Sequence, residues 1–185
     1  MTTISGKAVK GHFNVHWTDV FCAMFKENKP IKRSSQLATL SREHHEGLLF
    51  CWKIRQGLEN GTDIMLLRDF TLWYWRYHMK PHFYQEEKIL LPYISGHSFA
   101  DQLKKEHDDI RELILSLDKD PNESLFSTLA ILVSNHIRFE ERQVFNYLEN
   151  VLSEDQLNVI AKELAITPAS GEEWEQPFWG KRIKD

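Results

Sequence analysis

Apolar positions recur at helical spacing in four long stretches of this chain. The first is expected from about Ser34 or Ser35, either of which can cap it, to Leu58; Leu37, Leu40, His44, Leu48, Cys51, Ile54 and Leu58 form its inward seam and Asn60-Gly61 ends it. The second, from about Asp63 to Tyr93, carries Ile64, Leu67, Phe70, Leu72, Tyr74, Trp75 and His78, and Pro81 interrupts it. A proline inside a helix removes one backbone bond and clashes with the preceding turn, so a kink is expected beside His82. The third runs from Ser98, with Asp101 three residues on in a capping-box arrangement, to about Leu117; Leu103, Ile110 and Ile114 share a face with His107. A turn containing Pro121 leads into the fourth, from about Glu123 to Val151. Ser153-Glu154-Asp155-Gln156 then reads as the capping box of a short fifth helix ending near Ala165.

Two of these stretches echo the other two. His82-Phe83-Tyr84-Gln85-Glu86-Glu87 is repeated as His136-Ile137-Arg138-Phe139-Glu140-Glu141, and the match continues through Lys88/Arg142, Leu90/Val144, Leu91/Phe145 and Tyr93/Tyr147. Leu40-Ser41-Arg42-Glu43-His44 likewise lines up with Leu103-Lys104-Lys105-Glu106-His107. A repeated helix pair is the simplest account, and two pairs make an all-α, up-down-up-down four-helix bundle. The bundle is expected over residues 34–151. Residues 1–33 form an N-terminal arm, and residues 152–185 a short helix and a tail that packs on the bundle through Trp174, Phe178 and Trp179. Within the arm, His12 and His16 stand at ligand spacing if helical, but a surface segment packed by Phe13, Trp17 and Phe21 explains them better.

At 185 residues the chain has room for one domain with a sizeable core. A net charge of -4 with no basic stripe argues against nucleic acid as a partner. No apolar run approaches a membrane span and the start lacks a signal-peptide core, so a cytoplasmic location is expected with no membrane partner. Cys22 and Cys51 make neither a disulfide framework nor a zinc cluster and are expected as free thiols. The oligomeric state is left open.

The chemistry lies in the histidines. Residues i and i+4 stack on one helical face, so each His-x-x-x-Glu set aims an imidazole and a carboxylate at one spot. With the lone histidines the inward set is His44, His82, Glu86, His107, His136 and Glu140. Burying so many titratable groups without a metal would be costly. Imidazole with carboxylate suits iron, zinc, manganese or copper, and two carboxylates can bridge a metal pair. Glu87 and Glu141 point about 100° further round their helices and are expected to support the ligands or lie at the surface. Packing between helices explains the cluster Trp73-Tyr74-Trp75-Arg76-Tyr77, and likewise Tyr84, Tyr93 and Tyr147, better than gating or radical roles do.

Over residues 34–151 the chain resembles the hemerythrin-like proteins of the HHE cation-binding family: His44 in Arg-Glu-His-His-Glu, the His82/Glu86 set before Leu-Leu-Pro, His107 in Lys-Glu-His-Asp-Asp, and the His136/Glu140 set. The resemblance implies two non-haem irons, oxo- or hydroxo-bridged, with the glutamates spanning them; zinc and manganese are less favoured. It departs from the oxygen-carrying members, which have an extra histidine one turn from the third-helix ligand, a turn occupied here by Leu103, and a fifth-position aspartate in the fourth helix, where the carboxylate here is Glu140. His78, one turn before His82, is a candidate for the missing ligand, and His45 an alternative to His44. The open coordination positions favour binding or reaction of a small ligand, O2, NO or peroxide, in an oxygen- or NO-binding or sensing protein. The alternative is a di-iron enzyme, a peroxidase or NO reductase, or an iron donor in repair of damaged iron centres. Ferritin-like oxidases need Glu-x-x-His pairs and are excluded by the spacing. No pocket for a larger organic molecule is expected.

Overall fold

A computed structural model describes residues 33–166 and 173–180. The arm candidates His12, His16 and Cys22 lie outside the described residues. Helix α1 spans Ala38–Glu59. A second rod is built from α2 (Ile64–Tyr74), a wide π turn over Trp75–Met79, α3 (Lys80–Gln85), a second π turn over Glu86–Leu90 and a tight 3-10 turn over Leu91–Ile94. The third rod is α4 (Ser98–Lys119). The fourth joins α5 (Glu123–Phe139), a π turn over Glu140–Val144 and α6 (Phe145–Val151). A short α7 (Glu154–Leu164) follows. Short turns between the rods force each to run back along the one before, which gives the up-down-up-down bundle. Each rod packs on its two neighbours, the first and fourth most extensively.

Local chemistry sets most of the ends. Asp63 caps α2 by accepting from the amides of Met65 and Leu66, Asn122 caps α5 through Leu125, and the Ser153/Gln156 capping box opens α7 as expected. Gly61, at φ +62°, makes the left-handed turn that ends α1. Two caps differ from expectation, although the third rod's helix starts at Ser98 as expected. Neither Ser34 nor Ser35 caps α1, which begins at Ala38 after a turn; the Ser34 amide instead donates to Glu149 at 2.7 Å. The cap of α4 is His97 rather than Ser98, its Nδ1 accepting from the Phe99 amide at 3.2 Å.

The irregularity nearest Pro81 is a π turn that ends just before it. The π turn over Trp75–Met79 closes with the Lys80 amide on the Trp75 carbonyl, so Pro81 falls in the first turn of α3, where a missing N–H costs little. The other π turns begin at Glu86 and Glu140, the repeated glutamates, with the amides of Leu91 and Phe145 reaching back five residues to the carbonyls of Glu86 and Glu140. Such turns commonly mark functional positions.

The core forms two apolar clusters. One gathers Phe50, Ile54, Phe70, Phe83, Ile110 and Phe126 among others; the second gathers Leu40, Leu90, Leu103, Phe139, Phe145 and Leu148 with Leu157 and Ile160 of α7. On the inward face of α1, Gly47 and Phe50 are buried where Leu48 and Leu58 were expected, and both leucines stay partly exposed at the edge. The tail residues Trp174, Phe178 and Trp179 pack on the first cluster around Phe70, and Asn60 donates to the carbonyls of Phe178 and Gly180. Among the described residues, no helix is long and apolar enough to cross a membrane.

Candidate metal centre

In each rod the candidate ligands fall where the first apolar cluster gives way to the second, so the four rods bring them to one level of the bundle. His44, Glu86, His107, His136 and Glu140 are each no more than 3% exposed, and His82 is 11% exposed. His45, the alternative to His44, is exposed.

Two groups of inward-facing atoms result, His44/His82/Glu86/Glu140 and His107/His136/Glu86/Glu140, with the ligand atoms of each group within 4.8 Å of one another. The two glutamates are common to both. Glu86 Oε1 lies 3.0 Å from Nε2 of His82 and 3.5 Å from Nε2 of His44, while its Oε2 lies 3.3 Å from Nε2 of His107. Glu140 Oε2 stands 3.0 Å from Nε2 of His44 and 3.2 Å from Nε2 of His136. Both oxygens of both carboxylates, and Nε2 of His44, are buried without an aligned hydrogen bond. Buried polar atoms are normally well bonded, so five that converge on one spot and meet only each other, out of line for a hydrogen bond, suit a cation.

The outer nitrogens are all engaged. Nδ1 of His82 meets Glu43 at 2.7 Å, that of His107 meets Glu87 at 2.8 Å, that of His136 meets Glu106 at 2.9 Å and that of His44 meets Glu141 at 2.8 Å. The donors and acceptors run round the bundle, the first rod holding the second, the second the third, the third the fourth and the fourth the first. With a carboxylate as acceptor, each Nδ1 carries its proton and each Nε2 is turned inward, the arrangement that orients a metal-binding imidazole. Glu87 and Glu141 thus support the ligands, one of the two roles expected of them. Glu43 and Glu106 were missed, although the repeated Glu-His pair was their signal.

In the metal-free chain, protons balance these charges. Burial would lower the His44 pKa, but the carboxylates of Glu140, Glu141 and Glu86 beside its ring nitrogens, which accept its protons, hold it well above its usual value. Burial opposes His82 in the same way, and the charge of Glu86 with the hydrogen bonds that His82 donates to Glu43 and Glu86 raises it to about 9. Glu86 is the converse: burial pushes its pKa up, and the charge of His82 with bonds from three histidines takes it well below the ordinary carboxylate range.

A match to the family model described as the hemerythrin HHE cation binding domain covers residues 35–148. The chain belongs to this hemerythrin family. Comparison with curated proteins and with solved structures gave no significant match. A hemerythrin domain together with the buried His/Glu cluster makes this a metal-ion site.

His78 is not drawn into either group. Its ring stacks on Tyr74 at 4.7 Å and meets Trp73 edge-on at 5.0 Å, on the wall of a cavity of about 480 Å³. That cavity reaches His44, His82 and His136 past Gly47, Tyr74 and Val133. No such pocket was expected, because residues from separate rods and from α7 enclose it. Leu103 is fully buried in the second apolar cluster. Of the other tyrosines, Tyr84 is 62% exposed, while Tyr93 and Tyr147 pack against that second cluster.

Proposed function

We propose that this hemerythrin-family chain holds two non-haem irons and uses them to bind or react with a small ligand, O2, NO or peroxide. His44 and His82 would serve one iron, His107 and His136 the other, and Glu86 and Glu140 would bridge them. The observation that carries this reading is the division of Glu86, with one oxygen toward His82 and the other toward His107. A carboxylate so divided between two histidine pairs suits a metal pair better than a single ion. Iron is the metal that membership of the hemerythrin family favours; the imidazole and carboxylate set alone suits zinc and manganese as well. When bound, such a pair supplies electrons and open positions for a diatomic or peroxide ligand.

This chain's own residues then have definite tasks. The outer carboxylates keep the imidazoles turned inward, and the clusters above and below restrict water. The cavity beside His44, His82 and His136 offers the approach. Its size leaves the alternative reading, a peroxidase or NO reductase, supported by the same wall.

The test is metal analysis with an ultraviolet-visible spectrum of protein from iron-supplemented cells, before and after reduction and exposure to air. About two irons per chain with oxo-bridge charge-transfer bands is the expected result. A visible band that comes and goes with O2 would mark a carrier or sensor, and irreversible oxidation without it would mark the enzyme. Zinc, or no metal after reconstitution, would overturn the proposal.

A further inference from the structure

His44 and His107, the two histidines that enter the site singly, have matching surroundings of which only the Glu87/Glu141 pair is matched in the sequence repeat. Around His107, Nδ1 meets Glu87, the ring stacks on Phe83 with centroids 3.7 Å apart, and Arg111 touches both partners: its Nη2 bonds Glu87 and its guanidinium lies 5.7 Å over the Phe83 ring. Around His44, Nδ1 meets Glu141, the ring stacks on Phe145 at 5.2 Å, and Arg33 touches both: its Nη2 lies 2.7 Å from Glu141 Oε2 and its guanidinium 5.2 Å over Phe145.

The two arginines come from different places. Arg111 stands four residues after His107, one turn along α4. The matching position after His44 is Leu48, which cannot do this. Arg33 fills the role from ahead of α1, outside all four rods. It is firmly seated: its side chain is 6% exposed, Nη1 bonds Glu149 at 2.8 Å and Asn146 at 3.1 Å, and Nη2 also bonds the Glu141 carbonyl at 2.6 Å. Desolvating a guanidinium is costly, and two carboxylates and a carbonyl offset that cost only in this one geometry.

We propose that Arg33 is a positioning residue for the metal centre: by holding Glu141 and Phe145 it fixes the His44 ring, making the His44/His82 half depend on a residue that precedes α1. The His107/His136 half is braced from within by Arg111. This rests on the two-metal reading above. Because lysine keeps the charge but loses the planar fork, Arg33→Lys isolates the geometry.

Two measurements on the full chain decide it. In metal-free protein, nitrogen-15 spectra of the imidazoles should show faster exchange of the His44 Nδ1 proton in Arg33→Lys with His107 unchanged, and the reverse in Arg111→Lys. In a cobalt(II) titration, Arg33→Lys should weaken one of two binding steps about tenfold and leave the other alone, the size typical of lost outer support. Glu149→Gln, which loosens Arg33 without touching the site, should shift both readouts the same way by less. Unchanged His44 signals in Arg33→Lys, or equal weakening of both cobalt steps, would overturn the role of Arg33. A wild-type chain that takes up no cobalt would sink the metal centre itself, and the His44 exchange rate would still decide for or against Arg33.

Discussion

Glu106 does not hold the histidine beside it in the sequence: its Oε2 lies 2.9 Å from Nδ1 of His136 on the next rod. Glu43 does the same for His82 at 2.7 Å. Replacing either by glutamine keeps the shape but gives up the charge that holds the Nδ1 proton and makes Nε2 a better donor. Metal affinity is expected to fall about 10- to 100-fold in Glu106→Gln or Glu43→Gln. Metal titration checks this, and affinities equal to wild type would mean that the outer carboxylates are only surface charge.

Glu86 is the residue common to both groups whose two oxygens diverge. Glu86→Ala is expected to yield fewer than two metals per chain, where His107→Ala or His136→Ala lowers content by stripping one side. Elemental analysis after reconstitution is the check. Two retained metals in Glu86→Ala would remove it from the bridge.

The metal-free chain has a stability optimum set by the same pairs. His82 is raised from 6.5 to about 9, so its contribution is complete below pH 6.5 and is lost as pH rises through about 9. Burial pushes the Glu141 pKa up, but bonds from His44, Ser41 and Arg33 bring it from 4.5 down to about 2; its contribution is complete above pH 4.5 and is lost as pH falls through about 2. Thermal unfolding of metal-free protein should therefore peak between pH 4.5 and 6.5 and decline on either side. A midpoint that climbs steadily from pH 6.5 to 9 would contradict these pairings.

Gly57 is the seat of the tail. A Cβ there would stand 2.5 Å from Cδ2 of Leu67 and 2.8 Å from the Phe178 ring. Gly57→Ala is expected to cost about 1–3 kcal/mol through overpacking and to lift residues 174–179 from Phe70. Denaturant melts and the fluorescence of Trp174 and Trp179 read both effects; wild-type stability with unshifted fluorescence would place the tail elsewhere.

Cys51 is fully buried and its thiol is pushed up to about 11, chiefly by burial. Its peptide should stay unmodified when native protein meets a thiol alkylating agent at neutral pH, and react once unfolded. Peptide mass spectrometry distinguishes the two, and labelling of the native form would show that this part of the core opens readily.

The order of helices and the six candidate ligands were legible in the sequence because both rest on local spacing. A repeat of period 3.6 fixes which residues share a face, and His82/Glu86 and His136/Glu140 stand one turn apart in any helix. The repeated Glu-His pair marked His44 over its neighbour His45 for the same reason. What the sequence could not fix was which rod each outer group would serve. Glu43 and Glu106 bond across to the following rod, Arg33 reaches Glu141 over 108 positions, and Phe83 and Phe145 come from unmatched places in the repeat. The exclusion of His78 is of the same kind, since a π turn and the Tyr74 ring decided its direction. Spacing along one helix sets what a chain offers to its interior. Only the packing of rods against each other decides which side chains meet there, because those contacts join residues whose separation in sequence carries no periodic signal.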